Sequence, residues 1–127
     1  MIYICAQPST YYYGWQVDTM ILSFFKCGVN LSDVHIVSTN HRNEHFVEVE
    51  NKWSKYGIKF YYYPDNRVKP SYISSIRPHI LEAHWKANPW LKGKHIFYHD
   101  CDIALTKPIP NLLDKLNSHQ CYLSDTR

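Results

Sequence analysis

HIFYHDCDI, residues 95–103, is the stretch on which the fold of this chain turns. Residues 95–99 form a short apolar run of the kind that builds strands, and they stop at two carboxylates, Asp100 and Asp102. So short and apolar a strand suits a central place in a sheet. In an extended segment side chains alternate, so Asp100 and Asp102 share one side while Cys101 points away, into the core.

Upstream, the chain alternates strand-like and helix-like segments. Apolar runs over 2–6, 33–38 and 58–63 read as strands, bounded by Gln7-Pro8-Ser9 and by Pro64-Asp65-Asn66. Between Trp15 and Phe25 apolar residues return at helical spacing, with Cys27-Gly28 as the stop. A weaker helix is predicted over 44–56, with Phe46, Val49 and Trp53 on one face and Gly57 just past its end. A third is predicted over 75–87, capped by Ser75, with Pro78 in the first turn, where its missing N–H costs nothing. A short helix over 110–116 and a strand over 120–123 complete the pattern. Strand–helix–strand units of this length imply right-handed crossovers and an α/β fold with a mostly parallel sheet flanked by helices.

Such sheets bind ligands beyond the carboxyl ends of their strands, which singles out residues 7–13, 38–43, 64–68 and 100–104. Two carboxylates there suit a hard divalent cation, Mg²⁺ or Mn²⁺, with water and a substrate phosphate completing the oxygen shell. The competing reading is that both aspartates form a turn by bonding local backbone. A zinc site using His99 and Cys101 is disfavoured by the inward direction of Cys101. Arg77, near the start of the third helix, is placed either to meet a phosphate in the crevice or simply to be solvated. Gln7, Pro8 and Tyr11–Tyr13 follow the first strand and offer a tyrosine-rich loop as a wall for a base. Asp65 stands at the mouth of the third strand.

Bulk composition narrows the class. Aromatic residues make up 16% of the 127 positions against only four glycines, which describes a packed domain rather than a low-complexity chain. A net charge of +3, from scattered basic residues, argues against nucleic acid as a partner. Lys92, Lys94 and His95, the one local basic cluster, read as a solvated loop. The four cysteines lie 20 or more residues apart with no CxxC pair, so zinc-knuckle and thioredoxin-type sites lack support. Cys5, Cys101 and Cys121 lie in or beside apolar strand-like runs, which suits reduced, mostly buried thiols and a cytoplasmic setting. Neither a signal-peptide pattern nor an apolar stretch long enough for a membrane span is present.

Several segments resemble a known family. Tyr13-Gly14-Trp15-Gln16 followed by residues 20–28 is similar to the start of GT-A-type glycosyltransferases related to plant hydroxyproline O-arabinosyltransferases and peptidyl-serine galactosyltransferases. The likeness continues through Arg77-Pro78 and the helix up to Trp85. It culminates in residues 96–103 and Lys107-Pro108-Ile109, which look like the family's strand, DxD motif and following turn. It is loose between Asn40 and Tyr72, and His99 and Cys101 replace the more usual aliphatic or small neighbours.

The resemblance implies a GT-A-like (Rossmann-like) donor-binding domain holding a nucleotide-sugar, a UDP-sugar by analogy, with Mn²⁺ or Mg²⁺. Asp102 would be the direct metal ligand. Asp100 would lie near the ribose and the metal's water shell, and Arg77 near the base or diphosphate. The loop from Ala6 to Tyr13 would hold the nucleoside. The acceptor would be a saccharide or protein hydroxyl. Only 25 residues follow Asp102, so the acceptor-binding part is expected to be absent. Asp125 is a weak candidate to approach the donor sugar and is not assigned as a catalytic base. Two alternatives stand beside this reading. One is a metal-dependent nucleotidyl- or phosphotransferase, which would need a glycine- or lysine-rich loop where the chain has QPSTYYYG. The other is a non-catalytic nucleotide-binding or protein-interaction domain.

Overall fold

Four runs rich in β-branched and aromatic residues form strands: β1 (Ile2–Gln7), β2 (Val34–Thr39), β3 (Lys59–Tyr63) and β4 (Ile96–His99). A computed structural model describes residues 1–68, 72–110, 113, 116, 117, 119 and 121. The strands make one sheet in the order β3-β2-β1-β4, and every pairing is parallel. Three helices connect them: α1 (Tyr11–Lys26), α2 (Glu44–Trp53) and α3 (Ile76–Ala87).

The two-residue period of the strands sorts their side chains onto two faces. Tyr3, Cys5, Val34, Ile36, Phe60 and Tyr62 pack with α1 and α2, around Met20, Phe24, Phe46 and Trp53. The intervening residues Ile4, Ala6, Val37 and Tyr63 pack with Ile76 and Ile80 of α3. Phe24 and Phe46 are sealed from solvent, a burial worth about 2–3 kcal/mol apiece. The result is a Rossmann-like α/β layer architecture, as the strand–helix alternation predicts.

Several details differ from expectation. α1 starts four residues before Trp15, so Tyr11, Tyr12 and Tyr13 are its first turn and not a loop. Thr10 precedes them in an extended conformation and its carbonyl accepts from Gly14 N–H at 3.0 Å, the first bond of the helix. α2 stays α-helical only to Trp53 and continues as a tighter turn over Ser54–Tyr56, closed by Gly57 at φ 93°. Ser75 does not cap α3. Its backbone is already helical, and its hydroxyl donates to the Tyr72 carbonyl instead. β4 is an edge strand of the described sheet rather than a central one. Cys5 and Cys101 are buried as expected, but Cys121 is exposed; all four cysteines are free. The helix expected over 110–116 and the strand over 120–123 fall on or across positions outside the described residues, and so does Asp125. No helix among the described residues is long and apolar enough to cross a membrane.

Under α3 lies a buried polar cluster. His35 of β2 and His84 of α3 are sealed from solvent, with His35 Nδ1 3.1 Å from His84 Nε2. Asn88 fixes the direction of these bonds. Its Oδ1 accepts from Trp90 Nε1 at 3.2 Å and its Nδ2 donates to the His84 carbonyl at 3.0 Å. Nδ2 also lies 3.2 Å from His84 Nδ1, and the Tyr63 hydroxyl lies 3.0 Å from the same nitrogen. His84 Nδ1 must therefore accept, so Nε2–H donates to His35 Nδ1, and the proton on His35 sits at Nε2. That last N–H has no partner among the described residues. Burial lowers the pKa of both rings from 6.5 to about 4, with His35 lowered further by His84 and Lys59.

Candidate functional site

The chain winds from β1 outward through β2 to β3, then returns to lay β4 on the other side of β1. The winding direction reverses there, and the crevice beyond the carboxyl ends of β1 and β4 is where open parallel sheets bind ligands. Three polar side chains from three separate segments meet at it. Gln7 ends β1, Arg77 lies in the first turn of α3, and Asp100 follows β4.

Their contacts close a triangle. Arg77 Nη1 lies 3.1 Å from Asp100 Oδ1. Arg77 Nε donates to Gln7 Oε1 at 3.0 Å, and Gln7 Nε2 donates to the same Asp100 Oδ1 at 3.4 Å. A guanidinium only donates and a carboxylate only accepts, so this is the one orientation of the Gln7 amide that serves both neighbours. Gln7 is buried and its carbonyl accepts from Ser38 Oγ of β2 at 2.6 Å, which anchors the triangle to the sheet. Partial burial opposes the charge on Arg77, but the Asp100 carboxylate and a hydrogen bond with Tyr13 hold its pKa above the ordinary value. Tyr98, two residues before Asp100, has its phenol pKa raised by burial and by the Asp100 charge.

The turn after β4 is tied down from behind. Cys101 is buried among the residues of the α1 face, and its thiol donates to Gln16 Oε1 of α1 at 3.0 Å. A hydrogen bond with Cys101, and then burial, push the Cys5 thiol well above its usual pKa. With Cys101 turned inward, Asp102 is exposed and Asp100 is half-buried. Behind them burial lowers the pKa of His99, whose Nδ1 donates to the Asp100 carbonyl at 2.9 Å.

The other sequence candidates are placed unevenly. Tyr13 joins the cluster through Arg77, and Pro8 follows β1 directly, half-buried. Tyr11 is exposed and packs against His45, with the rings tilted and their centroids 5.0 Å apart. Ala6 is sealed in the core under α3, so its side chain has no free surface. Asp65 lies beyond the edge strand β3, two strands from β1. Arg67 takes it up, at 2.8 Å, and lowers its pKa to about 2 through that hydrogen bond. Arg67 also reaches Ser75 Oγ, just before α3, at 2.7 Å. Tyr98 and Gln16 are not among the candidate site residues of the sequence. Strand alternation from Asp100 back to Tyr98 is the signal that finds the first; the second stands in the Tyr13–Gln16 segment without a signal for its contact with Cys101.

Among the described residues no three His, Cys, Asp or Glu side chains gather to hold a metal ion. Magnesium and manganese need fewer protein ligands than that, since one or two carboxylates plus water and substrate phosphates suffice. The all-oxygen pair Asp100 and Asp102, one half-buried and one exposed, fits such an ion in chemistry. A cavity of about 410 Å³ lies elsewhere, lined by Trp85, Asn88, Pro89, Leu91, Lys92 and Ile96 near the amino-terminal end of β4. It is mostly apolar and shares no residue with the triangle, so the polar crevice is the better candidate for chemistry. The chain matches no protein-family model, no curated protein and no solved structure.

Proposed function

We propose that the crevice between β1 and β4 is the donor site of a GT-A-type glycosyltransferase that takes a nucleotide-sugar, with UDP the expected nucleotide. The observation that carries this reading is the meeting of Gln7, Arg77 and Asp100 at the reversal of strand order. Arg77 supplies a fixed cation for the diphosphate. Asp100 accepts from ribose hydroxyls, and Asp102 offers the exposed carboxylate for Mn²⁺ or Mg²⁺. That ion, when bound, neutralises the departing diphosphate. The acceptor hydroxyl, from a saccharide or a protein, attacks the anomeric carbon as the bond to the diphosphate oxygen breaks, and its proton passes to solvent or to the departing diphosphate. The protein's contribution is positioning and electrostatic stabilisation of that leaving group. The four free cysteines suit a reducing, cytoplasmic setting.

One observation favours a second reading. Since no group of three or more His, Cys, Asp or Glu side chains able to hold a metal ion gathers among the described residues, a nucleotide-binding domain without catalysis is the rival. The test is a thermal-shift panel of UDP, GDP and CDP and their common sugars, with and without Mn²⁺. A hundredfold excess over Kd stabilises by about 2.7 kcal/mol, which is readily seen as a rise in Tm. We expect UDP ligands to stabilise in a Mn²⁺-dependent manner and Asp102→Ala to remove that dependence. If no nucleoside diphosphate stabilises the protein with metal, the donor-site reading fails. Binding without hydrolysis or transfer of the sugar favours the rival.

A further inference from the structure

The triangle of Gln7, Arg77 and Asp100 has a second property, which rests on the donor-site reading above. Asp100 Oδ1 receives both Arg77 Nη1 and Gln7 Nε2, while the guanidinium spends its Nε on Gln7 Oε1. The ion pair is a 3.1 Å approach of Nη1 to Oδ1 without a two-pronged hydrogen-bonded fork, and its side chains are 29% and 44% exposed. Pairs of that kind are weak and easily exchanged. A diphosphate, with its higher charge and several oxygens in guanidinium geometry, outcompetes one carboxylate oxygen for Arg77.

We infer that Gln7, Arg77 and Asp100 form a latch that masks Asp100 until a nucleoside diphosphate draws Arg77 away. With the latch closed, Arg77 occupies the Asp100 oxygen and places a positive charge beside any incoming cation. With Arg77 on the diphosphate, Asp100 is released to the ribose and the metal's water shell. Cation and nucleotide therefore bind together rather than independently, and the coupling is reciprocal. Gln7 is the positioning residue. Its buried, neutral side-chain amide holds both partners of the pair at once and sets how firmly the latch is closed.

The test is Mn²⁺ titration followed by electron paramagnetic resonance, with and without UDP, on the wild type and two variants. Arg77→Met should bind Mn²⁺ alone about fivefold more tightly than wild type, the upper end for an exposed pair, and should lose most of its UDP affinity. Gln7→Leu changes no charge, so simple repulsion predicts no effect on Mn²⁺ alone; an open latch predicts about a twofold gain. Should Arg77→Met fail to fold, Arg77→Lys keeps the charge but loses the Nε bond to Gln7, and it should shift Mn²⁺ affinity in the same direction as Gln7→Leu. Wild type that binds Mn²⁺–UDP while all variants bind Mn²⁺ alone no better overturns the latch and leaves the donor site standing. A gain confined to Arg77→Met also overturns it, in favour of bare repulsion. Wild type that binds no Mn²⁺–UDP overturns the donor-site reading itself.

Discussion

Acidification should loosen this fold through two histidines. His35 and His84 are sealed under α3 and are 3.1 Å apart, and each has its pKa lowered from 6.5 to about 4. The bonding pattern supports this direction. A second proton on His84 would land on Nδ1, which already accepts from its neighbours and faces the Asn88 amide at 3.2 Å. The unfolded chain takes up these protons first, as pH falls through the ordinary histidine range. The stabilisation is therefore complete above pH 6.5, falls with pH across the window from 6.5 to 4, and is exhausted below it. At 1.36 kcal/mol per pH unit each ring loses on the order of 3 kcal/mol, and two rings sharing a bond lose less than twice that.

Urea unfolding at pH 7.5, 6.5, 5.5 and 4.5 reads this directly when wild type is set against the double variant His35→Phe/His84→Met. The variant should be less stable at pH 7.5, because packing and hydrogen bonds are lost, but its stability should vary less with pH. The difference between the two proteins should shrink by several kcal/mol between pH 6.5 and 4.5. A constant difference across that range would refute the neutral, buried pair.

Two further outcomes test the packing. Gly57 closes the turn after α2 at φ 93°, and an added Cβ would meet Ser32 Cβ at 3.3 Å; Gly57→Ala should cost about 1–2 kcal/mol in a urea titration. Asp18 accepts from the indole of buried Trp53 and from Lys52. Asp18→Ala strands that indole N–H and should cost about 1–3 kcal/mol by the same titration, while Asp18→Asn, which keeps an acceptor, should cost less.

The parts of the fold that follow from local pattern were legible in the sequence. Apolar runs rich in β-branched and aromatic residues located all four described strands, and the helical spacing from Phe46 to Trp53 located α2. The start of α1 was not legible, because three consecutive tyrosines carry no helical period and read as a loop. Only the register of Thr10 with Gly14 makes them a first turn. The short apolar run of β4 suggested a central strand, yet it lies at the described edge, since strand length and polarity report burial and not neighbours. At the site, carboxylates placed after a strand pointed to Asp100, and a basic residue in the first turn of α3 pointed to Arg77. Their union through Gln7 was not readable: a side-chain amide that bonds residues 70 and 93 positions away leaves no spacing signal. Asp65, a candidate from its place at the mouth of the third strand, is taken up by a neighbour two residues on, Arg67.

Those long separations also bear on how the protein reaches its native state. The triangle joins β1, α3 and the turn after β4, so closing it requires loops of about 70 and 93 residues to have been ordered first. Parallel pairing of this kind defers its reward until distant segments have met, which makes folding slow. With β2–β3 pairing local and β1–β4 pairing distant in sequence, the crevice is expected to become native late. A probe that responds to an intact Arg77–Asp100 contact would report completion of the whole domain, well after helical signal has been regained.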